Sequence, residues 1–105
     1  MHEVGQPYTA GDWMVKAGEE EAFVEKWTAF VDWSQKTIAE ARSFFLIRDT
    51  EEPRHFLSFG SWMDERAVSA WRQMPEFAEL LGACRALCEQ FEGRDYAVAA
   101  TSTDA

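Results

Sequence analysis

Few side chains in this sequence are suited to chemistry. His55 is the only residue outside the N-terminal lead-in that titrates near neutral pH, so it is the side chain best able to take up and return a proton. Arg48, Arg54 and Arg72 are the nearby cations, and Tyr8, Tyr96 and the indole N–H groups are available donors. Each has a plainer reading. His55 directly follows a turn, where a solvated histidine is ordinary. Arg48 can simply pair with Glu51 and Glu52 in the adjoining loop. Cys84 and Cys88 stand four apart in a predicted helix, and with only two histidines in the chain they lack partners for a metal site. They read as small apolar residues on a buried stripe. The triplet Glu19, Glu20, Glu21 needs no ligand, because the positive end of a helix dipole accounts for it.

These residues hang on a stretch from Ser43 to Trp71 that reads as strand, polar turn, strand and helix start. Phe44, Phe45, Leu46 and Ile47 are apolar in a row, although strand side chains alternate between faces. Two helices cover roughly one face of a small sheet, so a second copy of the chain is expected on the other. Before this stretch, residues 8–16 form a strand with Trp13 and Val15 on one face. Gly11 weakens it, and marks a bulge or a close approach by another group. Gly18 closes the strand. A helix then runs to about Ala39 with an apolar stripe of Phe23, Trp27, Phe30, Val31 and Ser34. The second strand spans residues 41–49 and the third 55–62. On the third, His55, Leu57, Phe59 and Ser61 share one face, while Phe56, Ser58, Gly60 and Trp62 share the other. Asp64 caps a helix through Val68 and Trp71, and Pro75 breaks or restarts it. A second apolar stripe of Phe77, Leu80, Leu81, Cys84, Leu87, Cys88 and Phe91 predicts helix as far as Gly93. A last short strand, Tyr96 to Ala100, completes the order strand, helix, strand, strand, helix, strand: an α+β, ferredoxin-like antiparallel sheet with helices on one face.

The 105 residues make one domain, with a core over about 8–100 and no internal repeat or linker. A formal charge of −9 argues against nucleic acid and anionic membrane surfaces as partners. Without an apolar leader or an 18-residue apolar span, the expected setting is cytoplasmic.

The pattern YTAGDWMVKAGEEEAFVEKW, followed by FFLIRDTEEPRHFLSFGSWMDERAVSAWRQMPEFAELL, resembles the antibiotic biosynthesis monooxygenase (ABM) family over nearly all of residues 8–100. Its strongest fragments are Arg48-Asp49 with Pro53-Arg54, the strand Ser58 to Trp62, and Trp71 with Pro75-Glu76-Phe77. The resemblance implies a protomer that pairs through its sheet into a dimeric α+β barrel, with a pocket between sheet and helices. The family's haem degraders carry an Asn on the first strand, a Trp on the second helix and an axial His. Here those positions fall on Gly11, Trp71 and Leu81, and leucine cannot ligate iron, so no haem and no other cofactor is expected. The family's anthrone oxygenases use a Trp, an Asn, a Tyr and an Arg around a planar polyphenol, yet this chain contains no Asn at all.

Three functions fit this reading. One is a cofactor-independent monooxygenase acting on a small planar aromatic or quinol. In that case His55 and Trp71 are the catalytic candidates, and Trp62, Arg48, Tyr8, Phe77 and Leu81 the substrate-binding ones. The second is a non-catalytic dimeric module that binds a small apolar ligand. The third is a structural dimer whose pocket is filled by its own aromatics. An enclosed cavity, and the presence of His55 or an arginine in it, distinguishes them.

Overall fold

The computed structural model describes residues 3–102. Strand β1 (Pro7–Val15) leads through a turn at Gly18, where φ is +88°, into helix α1 (Glu20–Thr37). Strands β2 (Ala41–Arg48) and β3 (His55–Trp62) follow as a hairpin. Helices α2 (Glu65–Gln73) and α3 (Pro75–Arg85) come next, and strand β4 (Cys88–Ala97) ends the sheet. The four strands are antiparallel in the order β2-β3-β1-β4, which is the ferredoxin-like α+β arrangement with one helical crossover split in two.

Local chemistry places these elements. The five residues of the expected α1 stripe are the five that α1 buries. Asp64 caps α2 by accepting a hydrogen bond from the Ala67 N–H at 2.9 Å. Pro75 takes the first turn of α3, where its missing N–H costs nothing. On β1 and β3, Thr9, Gly11, Trp13, Val15, Phe56, Ser58, Gly60 and Trp62 turn toward the helices and are buried. Phe44 crosses over Gly60, where an added Cβ would meet its ring at 2.4 Å.

The end of the chain departs from the sequence-based expectation. The helix stops at Arg85 instead of reaching Gly93, and β4 begins at Cys88 and pairs with β1 along its whole length. Gly93 is a mid-strand residue opposite Gly11. The two cysteines therefore do not share a helical stripe. Cys84 lies fully buried in α3, whereas Cys88 opens β4 half-buried, and burial pushes their thiols up to about 12 and about 11.

One face of the sheet stays bare. Phe45, Ile47 and Tyr96 lie about half exposed on it beside Leu57 and Phe59, with the Phe45 and Phe59 ring centroids 5.2 Å apart. In β2 the apolar run thus divides, Phe44 and Leu46 toward the helices and Phe45 and Ile47 away from them. Among the described residues no helix is long and apolar enough to cross a membrane.

Candidate functional site

The helix-covered face carries a cavity whose wall is mostly aromatic. Trp71 projects from α2 into the core, with its ring 4.7 Å from Trp62, 4.6 Å from Phe77 and 5.5 Å from Phe30 by centroids. Its indole N–H donates to Ser34 Oγ at 2.8 Å, and that hydroxyl in turn donates to the Phe30 carbonyl. Trp13 and Trp62 repeat the device. Trp13 donates to Ser58 Oγ at 3.0 Å, and Trp62 donates to Thr9 Oγ1 at 3.0 Å. A buried indole needs one acceptor, and one hydroxyl per indole satisfies it while fixing the ring plane.

Gly11 makes the Trp13 contact possible. A Cβ there would lie 2.7 Å from Trp13 Nε1 and 2.8 Å from Ser58 Oγ, so the indole crosses the strand over a bare backbone. Of the two readings of Gly11, the close approach is the one observed. The register shift of β1 lies elsewhere, between Met14 and Val15.

The cavity holds about 70 Å³. Trp71, Phe77, Leu81, Trp13, Phe44 and Phe91 form much of its wall, and Ser58 contributes a hydroxyl. Arg72 and Gly93 are its exposed rim, so the mouth lies where edge strand β4 faces α2. Across it the Arg72 guanidinium donates two hydrogen bonds to the Asp95 carboxylate, at 2.8 and 2.5 Å. These bonds hold the Asp95 carboxyl below its usual range. Arg72 is the one ionisable side chain on the cavity wall among the described residues.

The residues singled out from the sequence are dispersed. Trp71, Phe77 and Leu81 line the cavity together. Trp62 lies behind Trp71, fully buried and off the wall. Arg48 stacks over Phe56, 4.6 Å from the ring centroid, and does not reach the cavity. Tyr8 borders a neighbouring groove with Arg72 and Asp95. His55 stands on the bare face, on the other side of the sheet from Trp71. Its Nε2 lies 2.8 Å from an Asp12 carboxylate oxygen and its Nδ1 3.1 Å from Asp49. The Asp49 hydrogen bond, and then the Asp12 one, raise the His55 pKa, so the ring favours its charged form. One protomer therefore offers His55 and Trp71 no common site.

Ser58 and Asp95 were not singled out from the sequence. Ser58 looks like any small strand residue until the Trp13 bond is seen. Asp95 was hidden because its segment was placed between a helix end and a short strand.

The model of the antibiotic biosynthesis monooxygenase family matches residues 10–82. This chain belongs to that family. Among solved structures it is similar to SnoaB, a cofactor-independent oxygenase from Streptomyces nogalater. The TM-score is 0.85 at 16% identity, over 95% of this chain and 99% of that one. It is also similar to a putative antibiotic biosynthesis monooxygenase from Nitrosomonas europaea, with TM-score 0.77, 14% identity, and 92% and 93% of the two chains covered. A conserved protein from Methanosarcina mazei gives a TM-score of 0.79 at 12% identity, over 90% and 94%. No curated protein matches the sequence. At these identities the structural likeness speaks for the fold. Gly11 and Leu81 are both on the cavity wall.

Proposed function

We propose that this ABM protein is a cofactor-independent monooxygenase of a small planar phenolic or quinol-type aromatic, and that it acts as a homodimer. The supporting observation is the Trp71-lined cavity on the helix-covered face, with a hydroxyl inside and a guanidinium at its mouth. The substrate ring stacks against Trp71 and Phe77. Ser58, whose oxygen accepts from Trp13, keeps its own O–H to donate toward the substrate oxyanion.

The cavity wall has a cation and no base, which suits a substrate that enters as its anion. That anion gives an electron to dioxygen, and the resulting carbon radical and superoxide combine as a hydroperoxide. Loss of water from the hydroperoxide leaves a carbonyl. A CH₂ group and O₂ thus become C=O and H₂O, with every electron supplied by the substrate and no cofactor required.

The homodimer reading rests on the bare sheet face. Phe45, Ile47, Leu57, Phe59 and Tyr96 form a continuous apolar surface there, and a second copy of the chain supplies a matching one. His55, between Asp12 and Asp49, then lies at the join between sheets and has an electrostatic role.

One observation favours the structural-dimer alternative, in which the pocket is filled by the protein's own aromatics. About 70 Å³ is small against the roughly 300–1,000 Å³ typical of ligand pockets. The test is oxygen uptake with a panel of anthrones and quinols. The wild type should consume oxygen without added cofactor, Ser58→Ala should be slower by about tenfold or more, and His55→Ala should stay near wild type. A wild type inert across the panel would overturn the oxygenase reading.

A further inference from the structure

Arg72 belongs to two surfaces at once. It forms part of the aromatic cavity wall and also borders an outer groove of about 290 Å³, together with Tyr8, Glu65, Val68, Asp95 and Tyr96. Its guanidinium lies 6.0 Å from the Trp71 ring centroid, so a group held by the guanidinium has its aromatic body beside Trp71. The fork is spent on Asp95. Both side chains are well exposed, at 40% and 58%, so water, salt and a competing anion all have access to the pair. Asp95 is on the edge strand, where its carboxylate returns to solvent at small cost once released. The inner cavity is only about 70 Å³, and Arg72 is common to its wall and to the larger groove outside.

We propose that Arg72 is the substrate anchor and Asp95 its internal stand-in: the substrate carries a carboxylate or an ionised phenol that displaces Asp95 and takes the guanidinium fork. This rests on the aromatic-substrate reading above and adds to it the charge of the substrate and the residue that selects it. Planar, two-oxygen anions fit the fork in the same bidentate way that Asp95 does.

Quenching of tryptophan fluorescence by 2-naphthoate, an anion near neutral pH, and by 2-naphthol, neutral there, tests this. Asp95→Asn, which unties the fork, should bind 2-naphthoate severalfold more tightly than wild type. Arg72→Gln should bind it about tenfold or more weakly, and Arg72→Lys should fall between, keeping charge but losing the fork. The 2-naphthol affinity should stay within about twofold throughout. Thermal melts of the variants establish that each is folded. Equal affinities for 2-naphthoate in all four proteins, a parallel loss for 2-naphthol, or no saturable binding of either probe would overturn the assignment. No oxygen chemistry enters the titration. Arg72-dependent naphthoate binding by a protein that consumes no oxygen upholds the anchor and sinks the oxygenase reading. Oxygen uptake with naphthoate binding indifferent to Arg72 does the reverse.

Discussion

The two faces of the sheet use similar residues to opposite ends. Beneath the helices, Trp13, Trp62 and Trp71 are locked by one hydroxyl each, and their ring contacts with Phe23, Phe30, Phe44 and Phe77 leave a small space. On the bare face, Phe45, Ile47, Leu57 and Phe59 are as apolar, but none of the described helices packs on them. The one imidazole of the described residues is on that second face, tied to two carboxylates. The covered face offers a small aromatic cavity and binding groups without a base, and the bare face offers a base-like residue in an open, acidic groove with Asp12, Glu89 and Glu92.

The contrast is sharpest in stability. Phe23 is fully buried between Trp13 and Phe56, and Phe23→Ala should cost about 3–5 kcal/mol in urea unfolding. A loss under about 1 kcal/mol would mean that the covered face is loosely packed. Assembly probes the other side. Phe59→Asp buries a charge in the proposed join, and the homodimer dissociation constant should rise about thirtyfold or more, read by sedimentation over a concentration series. A wild-type monomer well above micromolar concentration would remove the homodimer and leave the bare face without a partner.

The smallest expected effect belongs to His55. Its pKa is raised above the ordinary 6.5 by Asp49 and then Asp12, so the stability it contributes is whole below about pH 6.5 and is lost as pH rises through the folded-state value. Asp49, held at about 2 chiefly by the His55 hydrogen bond, remains ionised throughout that window. Urea midpoints on the alkaline side should fall slightly in wild type, and His55→Gln should flatten the change. A wild-type midpoint that rose across the same window would contradict the sign.

Much of this architecture is legible in the sequence because periodicity and caps agree. The α1 stripe, the Asp64 cap, the break at Pro75 and the two faces of β3 all follow from residue types and spacing. The C-terminal third misleads for a definite reason. Leu87, Cys88 and Phe91 continue the three-and-four spacing of α3, while the alternation of β4 is masked because Gly93 has no side chain and Asp95 is charged on the inward side. With β4 misplaced, the Arg72–Asp95 contact had no visible second partner. The site was only partly legible for another reason. Trp71, Phe77 and Leu81 are recognisable by helical spacing, but the Trp13–Ser58 bond joins residues 45 apart, and no local pattern encodes it.

The central strand carries a consequence for how the polypeptide is made. β1 pairs on one side with β3 and on the other with β4, near opposite ends of the sequence. While the protein emerges from a ribosome, α1 and the β2-β3 hairpin have their partners early, but β1 keeps one open edge until the last strand has left the exit tunnel. Trp13, whose ring centroid ends 4.1 Å from that of Phe91, waits with it. Such long-range closure is slow compared with local helix formation, and an unpaired strand edge beside an apolar surface is open to the wrong partner. Completion of the fold, and of the cavity mouth at Arg72 and Asp95, thus waits for the last strand of the domain.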